Sequence, residues 1–274
     1  MKKKVHIIID GNNLFYRCFY AARGKQDQSF RIFYSLMRKI LYKFRNHGSK
    51  LYFFWDSPKN WRTNVSGGYK QDRRDQRIGK QAFFDRLYFA MDLMKSELKL
   101  ERFSRVQYFK QYQIKGYEAD DVISLFLKTA IEKYSGEKQY FLIVSTDKDY
   151  MQLIADDNEK SVVQLKMGKE WKFVTYKSFC SEFGISPEQY PSILALMGDK
   201  SDSVKGVPGI GEKRAIEVVK KHGDVRDWIF SGDDLGCDLR RKCLDNRDGI
   251  QRDLMLVDLQ NSRIFGKEVI ELED

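Results

Sequence analysis

Three short apolar runs constrain this chain more than anything else in it. KVHIII at 4–9, KLYFFW at 50–55 and YFLIV at 140–144 are rich in β-branched and aromatic residues. Asp10 and Asp56 follow the first two at once, and Asp147 follows the third after Ser145 and Thr146. Near-continuous apolar runs of this length are strands buried on both faces. Between them, residues 30–45 repeat Phe33, Leu36, Met37, Ile40, Leu41 and Phe44 at helical spacing. Further helices are expected at 81–99, 118–133 and 147–154, a further strand at 104–109, and a hairpin from 160–166 and 170–174. Strands alternating with helices give an α/β fold, a mostly parallel sheet flanked by helices. In such sheets sites form at the carboxyl ends of the strands, so Asp10, Asp56 and Asp147 should meet on one edge.

Nine carboxylates sit where buried segments meet loops: Asp10, Asp56, Glu118, Asp120, Asp121, Asp147, Asp149, Asp199 and Asp202. Any one of them taken alone reads as turn or helix-cap chemistry. Together they gather negative charge in a chain whose net charge is +10. A positive protein that concentrates acids is holding something cationic, and hard carboxylate oxygens suit a divalent ion such as Mg2+. Two such ions can clamp the attacking and leaving oxygens of a phosphodiester. The expected reaction class is therefore metal-assisted cleavage of a polyanion, which is nuclease chemistry. Glu118 and Asp121 stand three apart and should share a helix face, as should Asp199 and Asp202.

The positive charge is concentrated too. Residues 59–110 hold 13 Lys and Arg against 6 Asp and Glu. Within this stretch SGGYKQDRRDQRIGK reads either as a solvated loop or as a basic arch over a substrate. On the second reading Tyr69 stacks on an unpaired base, while Lys70, Arg73 and Arg74 offset charge on a phosphate. GVPGIG at 206–211 reads either as a tight turn between helices or as exposed backbone that meets a nucleic-acid phosphate through Gly206, Gly209 and Gly211. Lys205, Lys213 and Arg214 flank it and favour phosphate.

Other classes are disfavoured. The longest apolar runs are too short to cross a bilayer, and MKKKVHIIID lacks the apolar core and cleavage site of a secretory signal, so a cytoplasmic protein is expected. Cys18, Cys180, Cys237 and Cys243 form no CxxC pair, and His6, His47 and His222 are scattered, so zinc is not expected and the thiols read as free. A haloacid-type phosphatase needs a second acid two positions after Asp10, where Asn12 stands.

With IDGNN, YEADD, STDKD and MGDKSDSVKGVPGIGEKRA in order, the chain resembles the 5′-nuclease (flap endonuclease) superfamily from Val5 to about Leu259. The likeness is greatest to bacteriophage 5′-3′ exonucleases and to the 5′-nuclease domain of bacterial DNA polymerase I. The resemblance implies a PIN-like catalytic domain at 1–186 with a helical arch at about 59–105. It implies a helix-three-turn-helix module and tail at 187–274. Asp10, Asp56, Glu118, Asp120 and Asp121 would form one metal group, and Asp147, Asp149, Asp199 and Asp202 the other, with Mn2+ able to replace Mg2+. Lys70, Tyr69 beside it and Arg17 on the helix after IDGNN would act on the scissile phosphate, and GVPGIG would bind K+ through carbonyls. The implied substrate is DNA with a 5′ flap or 5′ end, or an RNA–DNA hybrid in primer removal, cut by a stand-alone monomer. The rival readings are a structure-specific DNA-binding protein without catalysis and a PIN-type ribonuclease.

Overall fold

The computed structural model describes residues 5–44, 50–57, 60–70, 108–133, 138–168, 170–229 and 238–260. Strand β1 (Val5–Asp10) lies at the centre of the sheet, with β2 (Lys50–Phe54) and then β3 (Tyr108–Tyr112) on one side. On the other side come β4 (Gln139–Val144) and β6 (Lys160–Met167). All five run parallel, with Ile7 opposite both Leu51 and Leu142. The outer edge of β6 pairs antiparallel with β5 (Ala155–Asp156) and β7 (Trp171–Val174).

Alternation along the strands builds two cores. Ile7, Ile9, Leu51, Phe53, Trp55, Leu142 and Val144 pack with helices α1 (Gly11–Ala21) and α2 (Gln26–Phe44). Ile8, Tyr52, Phe54, Phe141 and Ile143 face the other way, onto Val122, Ile123 and Phe126 of α4 (Ala119–Lys133). His6 is buried in this second layer, its ring stacked on Tyr52 and Phe141. A side chain at Gly11 would strike the Trp55 ring at 2.6 Å, so glycine lets α1 start flush against the end of β2.

A third core is helical. It joins α5 (Tyr176–Phe183), α6 (Tyr190–Met197), α7 (Glu212–His222), α8 (Val225–Trp228), α9 (Asp238–Asp245) and α10 (Arg247–Val257). Gln152 ties this unit to the sheet: its amide donates to the Val257 carbonyl and accepts from Leu259 N–H. At the unit's tightest point two glycines face each other. Gly206 has φ 66, and a side chain there would meet the Met197 carbonyl carbon at 2.6 Å as well as the Gly198 backbone. Gly206→Ala should therefore cost roughly 2–4 kcal/mol from left-handed strain and backbone overlap. The expected result is a lower urea midpoint at an unchanged m-value.

Two expected elements differ. Residues 147–154 do not make an α-helix; a 3-10 turn covers Asp149–Leu153 and runs into β5. The Gln152 side chain bonds the Val257 carbonyl and the Leu259 N–H, and its own carbonyl accepts from the Gln260 side-chain amide, which fixes the turn by tertiary contacts. Of the strand expected at 104–109, residues 104–107 lie outside the described residues, and the described strand β3 runs on to Tyr112, where Gln111 is held by the Trp55 indole N–H at 2.9 Å. The helix expected at 81–99 and most of the expected arch lie outside the described residues.

Candidate functional site

The carboxyl ends of β1, β2 and β4 are sewn together by the residues after β1. Asp10 caps α1, accepting from Asn13 N–H at 2.9 Å. Asn12 accepts the Asp56 N–H at the end of β2, also at 2.9 Å. Asn13 accepts from Thr146 N–H and Oγ1 beyond β4. Asp56 in turn accepts from Ala119 N–H and so caps α4. The IDGNN motif is thus a clamp that presents Asp10, Asp56 and Asp147 on one edge.

The acids before and within the first turn of α4 are held from below by α3 (Arg62–Val65) and the segment after it. Arg62 is 1% exposed and grips Asp121 with two bonds, Nη1 to Oδ2 at 2.6 Å and Nη2 to Oδ1 at 2.7 Å. The same Nη1 reaches Glu118 at 3.3 Å and lies 3.6 Å from Asp120. Glu118 also accepts from the Tyr69 hydroxyl at 2.8 Å and from Lys70 Nζ at 2.8 and 2.9 Å. Lys70 Nζ sits 3.6 Å from Asp202, which links the sheet acids to those of the helical unit. Tyr69 corrects one expectation. Its ring is buried in the helical core with its hydroxyl on Glu118, so here it orients an acid and does not face a base.

Beyond β4, Asp147 accepts from Asp149 N–H. The fully buried Gln164 of β6 donates from its amide to the carbonyls of Ser145 and Asp147, which locks that loop. Asp199 caps the 3-10 turn Lys200–Asp202, takes two bonds from Ser201 and pairs with Lys148 at 3.1 Å. Asp149 differs from the other acids among the described residues. It is 6% exposed, and its Oδ1 is buried without any hydrogen-bond partner.

Repulsion couples the acids of four segments, and Lys70, between Glu118 and Asp202, joins those of the fifth. Burial, then Asp56 and Asp147, push Asp10 up to about 7. Burial, then Asp147, Asp202 and Asp199, push Asp149 well above the usual carboxylate range. Asp120 is raised as well, first by burial and then, against the pull of Arg62, by Asp121 and Glu118. Glu118 moves the other way: burial opposes ionisation, but Lys70 and Arg62 hold it at about 2.

Among the described residues, no three Asp, Glu, His or Cys side chains close into a ready-made cage. A divalent ion of the magnesium type keeps several waters and takes few carboxylates directly, so it suits an open set of acids. An all-oxygen donor set, a buried carboxylate oxygen with no partner and several acids forced towards neutrality fit such an ion. A pH dependence follows. Asp10 ionises near 3.8 when unfolded and near 7 when folded, so the fold loses stability as pH rises through that interval. Asp120 and Asp149 act in the same direction, whereas the contribution of Glu118 is complete above its ordinary 4.5 and stays constant. In EDTA the thermal midpoint should therefore fall on the order of 5 °C between pH 5 and pH 7.5. Millimolar Mg2+ at pH 7.5 should restore it.

The GVPGIG turn divides into two parts. Gly206 points inward and donates its N–H to the buried Asp253 of α10 at 2.8 Å, so it is not open to a phosphate as expected. Gly209 and Gly211 are exposed, a side chain at either would meet nothing within 4 Å, and no side chain caps the start of α7. Lys205, Lys213 and Arg214 are exposed around them, and Arg214 donates to the Gly209 carbonyl at 2.7 Å. Arg17 is half-buried on α1. Arg73 and Arg74 lie outside the described residues, as do His47 and Cys237. Cys18 and Cys180 are free thiols. Arg62, Asn13, Gln164 and Asp253 were missed from sequence. Only the Asn pair carried a local signal, two amides directly after a strand-end aspartate.

Residues 5–184 match the family described as 5′-3′ exonuclease, N-terminal resolvase-like domain. Residues 185–267 match 5′-3′ exonuclease, C-terminal SAM fold. The chain is 30% identical to DNA polymerase I of Bacillus subtilis over 90% of its own length, but spans only 27% of that relative. It is 32% identical to a 5′-3′ exonuclease of Buchnera aphidicola, covering 82% of this chain and 73% of that protein. The fold matches a bacteriophage T5 D15 flap endonuclease solved as a pseudo-enzyme-product complex with DNA and metal ions. There the TM-score is 0.69 at 21% identity, covering 93% of this chain and 89% of that one. No described helix is long and apolar enough to cross a membrane.

Proposed function

The chain belongs to the 5′-3′ exonuclease family, and we propose that it is a structure-specific 5′ nuclease. It hydrolyses DNA phosphodiesters at 5′ flaps and 5′ ends with two divalent ions, Mg2+ in the first place and Mn2+ in substitution. The observation that carries this reading is the buried, partnerless Oδ1 of Asp149 among acids from five segments, in a chain of net charge +10. So costly a gathering of buried anions persists where it serves a cation.

Asp10, Asp56, Glu118 and Asp120 would hold one ion, and Asp147, Asp149, Asp199 and Asp202 the other. When bound, such ions activate water and offset charge on the reacting oxygens. The chain's own residues do the rest. Asn12, Asn13 and Gln164 fix the loops that bear Asp56 and Asp147. Lys70 Nζ, which lies among the acids, would neutralise a phosphate oxygen, with Arg17, Arg73 and Arg74 as further cations. Tyr69 serves by orienting Glu118. The exposed N–H groups at Gly211 and the first turn of α7, with Lys205, Lys213, Arg214 and Gly209, would take the duplex backbone. A K+ ion at this turn would share the Gly209 carbonyl with Arg214.

The activity suits removal of flaps or primers in replication and repair, on DNA or an RNA–DNA hybrid, by a monomer in a bacterial or phage-infected cytoplasm. The test is a 5′-labelled flap duplex with purified protein in Mg2+ and then in EDTA. Cleavage near the junction in Mg2+ alone is expected. Tight binding without cleavage, in Mn2+ as well, would leave a DNA-binding protein instead, and preference for single-stranded RNA would leave a ribonuclease.

A further inference from the structure

Asp121 and Asp149 are opposites. Both are buried acids of the same cluster, yet Asp149 has an oxygen with no partner among the described residues, whereas both oxygens of Asp121 are engaged. Its Oδ2 accepts from Arg62 Nη1, from the Trp61 indole at 3.1 Å and from Glu118 N–H at 3.2 Å. Its Oδ1 accepts from Arg62 Nη2. It has 0% exposure, and a cation seeking it would have to displace a bidentate guanidinium. Arg62 is equally committed. Its Nε donates to the Leu256 carbonyl of α10 at 2.8 Å, and its plane lies against the rings of Trp61 and Tyr69. Of its five N–H groups, those on Nη1 also point to Glu118 and lie near Asp120.

We infer that Arg62 is a positioning residue, a fixed internal counter-charge for the acids of α4, and that Asp121 is its anchor and not a metal ligand. The inference rests on the metal-nuclease reading above and sharpens it. Eight acids then remain for ions, and one positive charge is permanently built in beside Glu118 and Asp120. Through Leu256 the same side chain also fixes these acids relative to the helical unit that bears Asp199 and Asp202.

The measurement is Mn2+ binding to the metal-free full chain by electron paramagnetic resonance, with circular dichroism to check folding. The chains compared are wild type, Asp120→Asn, Asp121→Asn and the charge-balanced double variant Arg62→Met, Asp121→Asn. If Asp121 is an anchor, Asp121→Asn binds Mn2+ within about threefold of wild type and Asp120→Asn weakens the first-group ion at least tenfold, while the double variant, which also loses the side chain that positions Glu118 and Asp120, falls between the two. Asp121→Asn alone strands Arg62, so where it fails to fold the double variant decides. A folded Asp121→Asn or double variant as weak as Asp120→Asn overturns the inference. A double variant that does not fold overturns it as well, since a replaceable charge pair tolerates removal together. Wild type that binds no Mn2+ is a different failure: the nuclease reading itself falls, and this inference with it.

Discussion

Asp149→Asn should abolish cleavage of a 5′-flap duplex, with a loss of at least roughly 1000-fold, which is about 4 kcal/mol of transition-state stabilisation. The affinity for the same duplex should change less than about threefold. The reason lies in one oxygen. Asp149 Oδ1 is buried and receives no hydrogen bond from the described residues, so they leave it open to a cation. Burial and the neighbours Asp147, Asp202 and Asp199 already push this carboxyl towards its neutral form. An amide of the same shape removes that repulsion but offers a cation no charge. The metal-free variant should then be more stable than wild type by about 1–2 kcal/mol at pH 7.5, as expected where a site is built at the fold's expense. Single-turnover cleavage, filter binding and denaturant unfolding in EDTA check the three parts. A variant that cuts within tenfold of wild type, or that is less stable without metal, would sink this role for Asp149.

The sheet was legible because its strands are self-declaring. Ile7 to Ile9, Leu51 to Trp55 and Phe141 to Val144 are buried on both faces, and continuous apolar runs say so without tertiary information. The acids were legible for the same reason, since each follows such a run or opens a helix. What hid were residues whose role depends on partners far along the chain. Arg62 sits in a stretch rich in Lys and Arg, and nothing local separates a buried arginine bound to Asp121, 59 positions on, from a solvated one. Gln164 reads as a polar break in β6 until the Ser145 and Asp147 carbonyls appear beneath it. Tyr69 misled because its neighbours Gly67, Gly68 and Lys70 look like loop, whereas its ring completes the helical core. The turn at Asp149–Leu153 was misread because helical spacing of apolar residues cannot report that Gln152 is held by residues 257–260.

Arg62→Met should be the most destabilising single change among the described residues of the site. Methionine fills much of the same volume, so the transfer and cavity terms stay small. The cost comes from the acids left behind. Asp121 loses both bonds to its one charged partner while it remains fully buried, Asp120 loses the guanidinium 3.6 Å away, and Glu118 keeps only Lys70. Breaking a buried pair from one side typically costs about 3–5 kcal/mol. Arg62→Lys keeps the charge but not the fork, so it should recover part of this and still fall short of wild type. The cycle with Asp121→Asn separates the causes. If the damage is the uncompensated carboxylate, Asp121→Asn in the Arg62→Met background should restore on the order of 2 kcal/mol, a coupling far outside what independent sites show. If the damage is instead the lost bond from Nε to Leu256 on α10, the second substitution restores nothing, because that carbonyl stays unpaired in both chains. Urea unfolding of the four proteins in EDTA distinguishes the two, and the size of the coupling measures how far the charge inside the α4 acids is held by Arg62 alone.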